Sequence, residues 1–126
     1  MKFIGRFILL TAFCIVMNQP ANLRAANEPV IPVKDTVTMV DLGAKSCIPC
    51  KMMAPILEEL KAEYQGRAEV IFIDVWEDPG QGKRFGIRSI PTQIFYDKHG
   101  KEVYRHTGFL DKEKIKERLD TLLASE

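Results

Sequence analysis

Apolar residues between positions 36 and 123 recur with two different spacings, and these spacings alternate along the chain. The segments 36–42 (TVTMVDL) and 68–75 (AEVIFIDV) are short, apolar and rich in β-branched residues, which predicts strands in the centre of a sheet. Apolar positions between them follow the spacing of a helix: Met53, Ile56, Leu57, Leu60 and Tyr64. Gly66 provides a stop for that helix. The pattern therefore predicts a strand, a helix and a second strand in succession.

The following segment predicts a turn, a short helical piece and a hairpin. Residues 77–82 (EDPGQG) have turn composition, and 83–87 (KRFGI) could form one or two helical turns. The segments 92–97 (TQIFYD) and 102–108 (EVYRHTG) are joined by KHGK, which predicts a β-hairpin with a glycine in its turn.

The C-terminal segment carries the clearest helix signals. Asp111 is a good N-cap, and Leu110 and Ile115 occupy the two positions of a hydrophobic staple. One apolar face follows, formed by Ile115, Leu119, Leu122 and Leu123. A β-α-β unit, a hairpin and a final helix predict an α/β domain, in which one sheet has helices on both faces and the parallel strands are joined by a right-handed crossover.

The first 26 residues have the pattern of a secretory signal peptide. Lys2 and Arg6 precede an apolar run of 11 residues, 7–17, and a polar stretch then ends in the small residues Ala25 and Ala26. Eleven helical residues cover only about 17 Å of a hydrocarbon core about 30 Å thick, so stable membrane insertion is not expected. We predict cleavage after Ala25 or Ala26, a single domain over 27–126, and a periplasmic or otherwise exported location.

Processing changes both the net charge and the number of cysteines. The predicted leader carries three basic residues and no acidic one, so the mature chain has 15 basic and 17 acidic residues, a net charge of −2. This balance gives no indication of nucleic-acid binding. Cys14 lies within the predicted leader and would be removed with it. Lipidation of Cys14 is not expected, because a lipoprotein signal would carry a small residue where this chain has Phe13. Only Cys47 and Cys50 remain, in a compartment where disulfides can persist.

Cys47 and Cys50 form a C-x-x-C pair at the start of the first predicted helix. The unpaired backbone N–H groups and the positive end of the helix dipole stabilise a thiolate there, which makes Cys47 the candidate nucleophile and Cys50, more buried, the resolving cysteine. A permanent disulfide is one alternative, but such a small loop would give little stabilisation. Zinc is another, although His99 and His106 have six residues between them rather than the usual three to five. The pattern favours a redox pair over both.

From Val40 to about Leu123 the sequence resembles the thioredoxin family. The matching segments are VD before the cysteines, CIPCKMMAPILEEL, YQG, DPG, FGIRSIPT and the later TG, in that order. The resemblance implies a thioredoxin fold, with a central mixed β-sheet flanked by helices. Only about 15 residues of the mature chain precede Asp41, so the first strand and helix of the fold are expected to be abbreviated.

The resemblance also implies roles for individual residues. Asp41 stands at the place of a buried acid that accepts a proton from the resolving cysteine, and an apolar setting would raise the pKa of its carboxyl group. The alternative is a strand-end aspartate that faces solvent or caps the helix. Pro91 is implied to be cis and to lie opposite the cysteines. The backbone of Ile90, with Ile48 and Pro49, would then contact an extended substrate segment.

Four positions depart from the family pattern. Thioredoxins usually carry tryptophan where this chain has Gly43 and Ser46, glycine in place of Ile48, and a lysine near the buried acid in place of Phe72. These departures predict a more open and less aromatic groove. They also remove a positive charge that would favour the ionised form of Asp41.

The expected function is that of an exported thiol–disulfide oxidoreductase that reduces protein disulfides without a cofactor. Its substrates would be mispaired disulfides or the oxidised C-x-x-C of apocytochromes c, and a membrane thiol–disulfide electron donor would keep the pair reduced. The protein is expected to be monomeric. One alternative is a disulfide-forming oxidant or isomerase, although such oxidants commonly carry an inserted helical domain. The other is a binding module that holds a partner without turnover.

Overall fold

The structure, a computed structural model, describes residues 30–125 as a four-stranded mixed sheet with three helices. The strands are β1 (Val37–Gly43), β2 (Ala68–Asp74), β3 (Thr92–Tyr96) and β4 (Glu102–Thr107). The helices are α1 (Ile48–Glu63), α2 (Pro79–Arg84) and α3 (Lys112–Ala124). The strand order is β2-β1-β3-β4; β1 and β2 are parallel, and the other two pairs are antiparallel. The predicted α/β class and mixed sheet are confirmed.

Each face of the sheet carries its own hydrophobic core. Helices α1 and α3 cover one face, where the largest buried side chains include Met39, Met53, Leu60, Tyr64, Phe95, Ile115 and Leu119. The opposite face packs against the end of α2 and the loop after it, through Val40, Leu42, Phe85, Ile94 and Tyr96. Because side chains alternate along a strand, β1 contributes to both cores and is buried over its whole length.

The second predicted strand is an edge strand, so its expected central place was wrong. β2 pairs only with β1 among the described strands, and no strand between residues 30 and 36 covers its outer side. Glu69 and Phe72 are exposed on it. A run of apolar residues predicts that the side chains of a strand are buried. It does not indicate whether the strand is hydrogen-bonded to a neighbour on both sides.

The short helical segment begins four residues earlier than predicted. α2 starts at Pro79, whose fixed φ suits the first position of a helix, and it includes Gly80 and Gly82, which the sequence suggested belonged to a turn. Phe85 donates its backbone N–H to Gln81 (3.0 Å), and Gly86 then adopts a φ of +63° that ends the helix. A proline at the first helical position favours the helix, and here this effect outweighs the low helix propensity of the two glycines.

The signals predicted for the last helix are confirmed. The Asp111 carboxylate accepts a hydrogen bond from the Lys114 backbone N–H (3.0 Å), and Leu110 and Ile115 are both buried. Of the helices in residues 30–125, none is long and apolar enough to cross a bilayer. The predicted signal peptide, 1–26, and Cys14 lie outside the described residues.

Candidate active site

Cys47 and Cys50 are paired as a disulfide at the N-terminal end of α1. Cys47 is the N-cap residue, and its backbone carbonyl accepts a hydrogen bond from Lys51 (2.9 Å). The two Cα atoms are 5.2 Å apart. Cys47 is half-buried, whereas Cys50 is only 3% exposed. A substrate can therefore reach the first sulfur far more easily than the second.

The helix start also provides the electrostatic conditions for a reactive thiolate. The first N–H groups of α1 have no partner within the helix, and no acidic residue lies in its first turn. Once the disulfide is reduced, these groups stabilise negative charge on Cys47 and lower the pKa of its thiol. Pro49, the second helical residue, fixes the backbone between the two cysteines but supplies no N–H.

Asp74 holds the loop that leads into Cys47, a role that the sequence analysis did not identify. Its carboxylate accepts backbone hydrogen bonds from Lys45 (2.9 Å), Trp76 (2.9 Å) and Glu77 (3.1 Å). These bonds, that from Lys45 foremost, lower the pKa of Asp74. An aspartate at the carboxyl end of a strand parallel to β1 was the available signal, because the loops after two adjacent parallel strands lie side by side.

Asp41 is buried inside the sheet, so the alternative of a solvent-facing strand-end aspartate is wrong. Its side chain is fully buried, and β1 continues two residues beyond it. Burial raises the pKa of Asp41 to about 6, and a hydrogen bond from Gln93 acts in the opposite direction. Gln93 Nε2 donates to Asp41 Oδ1 at 2.7 Å. A carboxyl group with this pKa can exchange a proton with a thiol near neutral pH.

Gly43 brings α1 and β2 into close contact at this end of the sheet. A Cβ atom at position 43 would lie 3.1 Å from Phe72 Cε2 and 3.2 Å from Cys50 Sγ. Where thioredoxins usually carry a tryptophan, this chain leaves room for the Phe72 ring beside Cys50. The ring and Cys50 also line a mostly apolar cavity of about 340 Å³ between α1 and β2.

The Ile90–Pro91 peptide bond is cis, as the resemblance implied. Leu42 pairs with Thr92, so Gly43 and Pro91 lie side by side at the end of the sheet that carries the cysteines. Pro91 accepts a backbone hydrogen bond from Gly108 (2.8 Å), but the backbone N–H and C=O of Ile90 have no partner in the part of the chain that the structure describes. Ile90 therefore offers a free donor and acceptor to an extended segment.

Exposed apolar side chains surround this end of the molecule. Ile48, between the cysteines, is 75% exposed, and Pro49 beside it is also exposed. Trp76, 61% exposed, lines a groove of about 310 Å³ together with Ile90. Trp76, the only tryptophan in the chain, was not among the predicted site residues. The expectation of a less aromatic groove was based on positions 43 and 46 and did not take this ring into account.

Residues 30–125 contain no cluster of three or more histidine, cysteine, aspartate or glutamate side chains that could hold a metal ion. His99 is exposed in the turn between β3 and β4, and His106 is half-buried on β4.

The structure does bring Cys47, Cys50 and Pro91 to one end of the sheet, with Asp41 on the strand beneath them.

Comparison with known proteins finds a family model and several proteins that are similar to most of this chain. Residues 22–121 match the family model described as Thioredoxin. Thioredoxins from three Staphylococcus aureus strains, MW2, N315 and COL, are each 44% identical to the chain over 88 residues, which cover 70% of this chain and 84% of the relative.

Proposed function

This chain belongs to the thioredoxin family and is a thiol–disulfide oxidoreductase, and from that premise we propose that it is an exported reductant of protein disulfides. The observation that carries the proposal is the pair at the start of α1, in which an accessible sulfur, Cys47, stands before a buried one, Cys50. This arrangement separates the attacking group from the resolving group within one helical turn.

In the reaction, the reduced Cys47 thiolate attacks one sulfur of the substrate disulfide. A mixed disulfide forms between Cys47 and the substrate, and the other substrate sulfur leaves as a thiolate. Cys50 then attacks the Cys47 sulfur, which restores the intramolecular disulfide and releases the second substrate thiolate. The substrate gains two electrons, and the cysteine pair loses two.

Asp41 is the proposed proton acceptor for Cys50. The Cys50 thiol must lose its proton before it can attack, and its burial opposes formation of a thiolate. Asp41 lies on the same face of β1 as Gly43, the residue that adjoins Cys50 Sγ. A carboxyl group with a pKa of about 6 is largely ionised at pH 7 and can take up this proton.

An extended segment of the substrate would bind across the exposed apolar end. The free backbone groups of Ile90 can pair with it as with an added strand, and Ile48, Pro49 and Trp76 provide apolar contacts on either side. Pairing through main-chain groups places few demands on the substrate sequence, which suits an enzyme that acts on many proteins.

The proposed direction and location rest on two further observations. Residues 1–26 have the composition of a signal peptide, and an exported compartment would oxidise the pair unless a membrane thiol–disulfide donor reduced it again. Between β2 and β3 the chain has only the six-residue α2, so the inserted helical domain that is common in disulfide-forming oxidants has no place there. Oxidised apocytochrome c is one substrate that would need such a reductant.

The test is the equilibrium reduction potential of the Cys47–Cys50 pair, measured against a glutathione series with protein that begins at Ala26. A value near that of thioredoxin, about −270 mV, is expected. A value near −120 mV would instead indicate an oxidant. Mass spectrometry of the protein purified from cells that express residues 1–126 checks export, because a cleaved leader leaves an N-terminus at residue 26 or 27.

A substrate trap distinguishes catalysis from simple binding. In Cys50→Ser the mixed disulfide on Cys47 cannot be resolved, so substrates should accumulate as complexes that dithiothreitol releases. Cys47→Ser is the matched control and should trap none. If both variants retained the same partners, with no dependence on dithiothreitol, the protein would be a binding module that does not turn over.

A further inference from the structure

Four residues form a row of side chains across the sheet, on the face covered by α1 and α3. Asp41 on β1 pairs with Phe72 on β2 and with Gln93 on β3, and Gln93 pairs in turn with His106 on β4. Directly paired residues share a face, so all four side chains point toward the helices. We call this set, Phe72, Asp41, Gln93 and His106, the polar row.

The two central members of the polar row hold each other but leave two polar atoms without partners. Asp41 and Gln93 are fully buried, and one hydrogen bond, from Gln93 Nε2 to Asp41 Oδ1, joins them at 2.7 Å. Asp41 Oδ2 and Gln93 Oε1 have no hydrogen-bond partner among the described residues. Both are acceptors when the carboxyl group is ionised, and a buried acceptor without a donor is unfavourable. A proton on Oδ2 supplies the donor that is missing.

Among residues 30–125, no lysine or arginine side chain pairs with the Asp41 carboxyl group. On β2 the residue opposite Asp41 is Phe72, whereas thioredoxins usually carry a lysine there. From α1, the titratable group nearest this end of the sheet is the Cys50 thiol of the reduced protein, and from β4 it is His106, which lies beyond Gln93. In the described part of the chain, the only side chain that forms a hydrogen bond with the Asp41 carboxyl group is the neutral amide of Gln93.

We propose that Gln93 is a positioning residue that holds the Asp41 carboxylate ready to accept the Cys50 proton, in place of the lysine of other thioredoxins. The Gln93 N–H fixes Oδ1, which leaves the unpartnered Oδ2 as the atom that receives the proton. The proton moves from Cys50 Sγ to Asp41 Oδ2, and the Cys50 electron pair forms the bond to Cys47 as the substrate sulfur leaves. This inference rests on the proposed role of Asp41.

Stopped-flow reaction with 5,5′-dithiobis(2-nitrobenzoate) separates the two steps. Attack by Cys47 on this disulfide releases a first coloured thiolate, and attack by Cys50 on the mixed disulfide releases a second. Both phases are followed between pH 5 and pH 9 for the wild type and for Gln93→Leu, which keeps a similar volume but lacks the amide. Gln93→Met is the second variant in case Gln93→Leu does not fold.

Loss of the Gln93 hydrogen bond removes a contact that favours ionised Asp41. We therefore expect the pH midpoint of the second phase to rise by about one to two pH units. At pH 6 the second phase should slow about five- to fiftyfold, and the first phase should change by less than about twofold. His106→Gln is the matched control from the same row, and it should leave the midpoint where it is.

A double variant separates this inference from the role of Asp41. In an Asp41→Asn background, Gln93→Leu should have no further effect on the second phase. An unchanged midpoint in folded Gln93→Leu, or an equal slowing with and without Asp41, would overturn the positioning role. If Asp41→Asn itself left the second phase unchanged, the proposed proton acceptor would be wrong whatever the Gln93 variants showed.

Discussion

Two neighbouring rows of side chains cross the same face of the sheet, yet burial has opposite consequences for them. The polar row contains Asp41 and Gln93 at its centre. Two residues earlier on β1 lies an apolar row formed by Val70, Met39, Phe95 and Tyr104. The central side chains of both rows are fully buried under the helices. Burial stabilises the fold in the apolar row, whereas in the polar row it penalises a charged group.

The difference shows how one sheet serves both stability and catalysis. Side chains of the apolar row join the main core, where Phe95 packs beside the Tyr104 ring with their centroids 5.6 Å apart. The polar row lies at the end of the sheet nearest Cys50, where a carboxyl group of raised pKa is chemically useful. Burial under the helices keeps Asp41 away from water, and this desolvation raises the pKa of its carboxyl group.

The largest expected effect comes from truncation of the apolar row. Phe95→Ala removes a fully buried ring and should lower the free energy of unfolding by about 3–5 kcal/mol. Urea denaturation at pH 7 measures this loss. Disulfide exchange per folded molecule should change by less than about twofold, since the core cluster that contains Phe95 includes neither cysteine. Val103→Ala, on an exposed position of β4, is the control and should alter stability by less than about 0.5 kcal/mol. If Phe95→Ala lowered the free energy of unfolding no more than Val103→Ala does, burial in the apolar row would not stabilise the fold.

Stability should fall as pH rises through the range in which Asp41 ionises. The carboxyl group of Asp41 has a pKa of about 6 in the folded protein against an ordinary 3.8, so the folded state holds this proton more tightly. The unfolded chain releases it first, and between pH 4 and pH 6 each pH unit therefore favours unfolding. The total loss is about 3 kcal/mol. Urea denaturation of the oxidised protein at several pH values measures it.

The surface carboxylates act in the opposite direction and at lower pH. Contacts in the folded state lower the pKa values of Asp74, Glu102 and Asp111, so their stabilising contributions are present at neutral pH and disappear as the solution is acidified below pH 4. A stability that rose steadily from pH 4 to pH 7 would contradict the assignment of a raised pKa to Asp41.

Replacement of the buried acid should convert the polar row into a stabilising one. Asp41→Asn cannot ionise, so at pH 7 it should be more stable than the wild type by about 2–3 kcal/mol, while the second phase of disulfide exchange slows. The loss of stability between pH 4 and pH 6 should disappear. Glu58→Gln, an exposed change on α1, is the matched control for loss of one negative charge. Equal stability of Asp41→Asn and the wild type at pH 7 would show that burial does not penalise the carboxylate.

The apolar row could be predicted from the sequence, but the hydrogen bond in the polar row could not. Helical spacing and alternation identify Met53, Leu60 and Ile115 as core residues, because burial of apolar surface is a property of each position. The Asp41–Gln93 bond depends on the register between β1 and β3, and the two residues lie 52 positions apart in sequence. A long polar residue next to the apolar Ile94 and Phe95 was the indication that the sequence offered for Gln93.

The cysteine site also has some features that could be predicted from the sequence and others that could not. The C-x-x-C spacing and its place at a helix start predicted that Cys50 is more buried than Cys47, since the relative burial follows from local helix geometry. Asp74 was missed because its carboxylate joins the end of β2 to the loop before Cys47, a segment distant in sequence. Trp76 was missed because the groove that it lines with Ile90 forms only in the folded chain. The edge position of β2 was missed for a related reason, because pairing at a strand edge leaves little trace in side-chain composition.

The smallest expected effect tests how tightly the polar row is joined to the cysteines. In Gly43→Ala the new Cβ would lie 3.1 Å from Phe72 and 3.2 Å from Cys50, so one of them must shift. Cys50 is fixed in the disulfide, whereas Phe72 is 40% exposed at the sheet edge and can move outward. Gly43→Ala should therefore lower the free energy of unfolding by about 1 kcal/mol, near the lower end of the range for overpacking. Urea denaturation measures this change. Gly82→Ala is the matched control, because its Cβ would meet nothing closer than 3.8 Å and should stabilise α2 by about 0.5–1 kcal/mol. A loss of several kcal/mol in Gly43→Ala would mean that the Phe72 ring cannot move, and that contact with it holds Cys50 as firmly as the disulfide does.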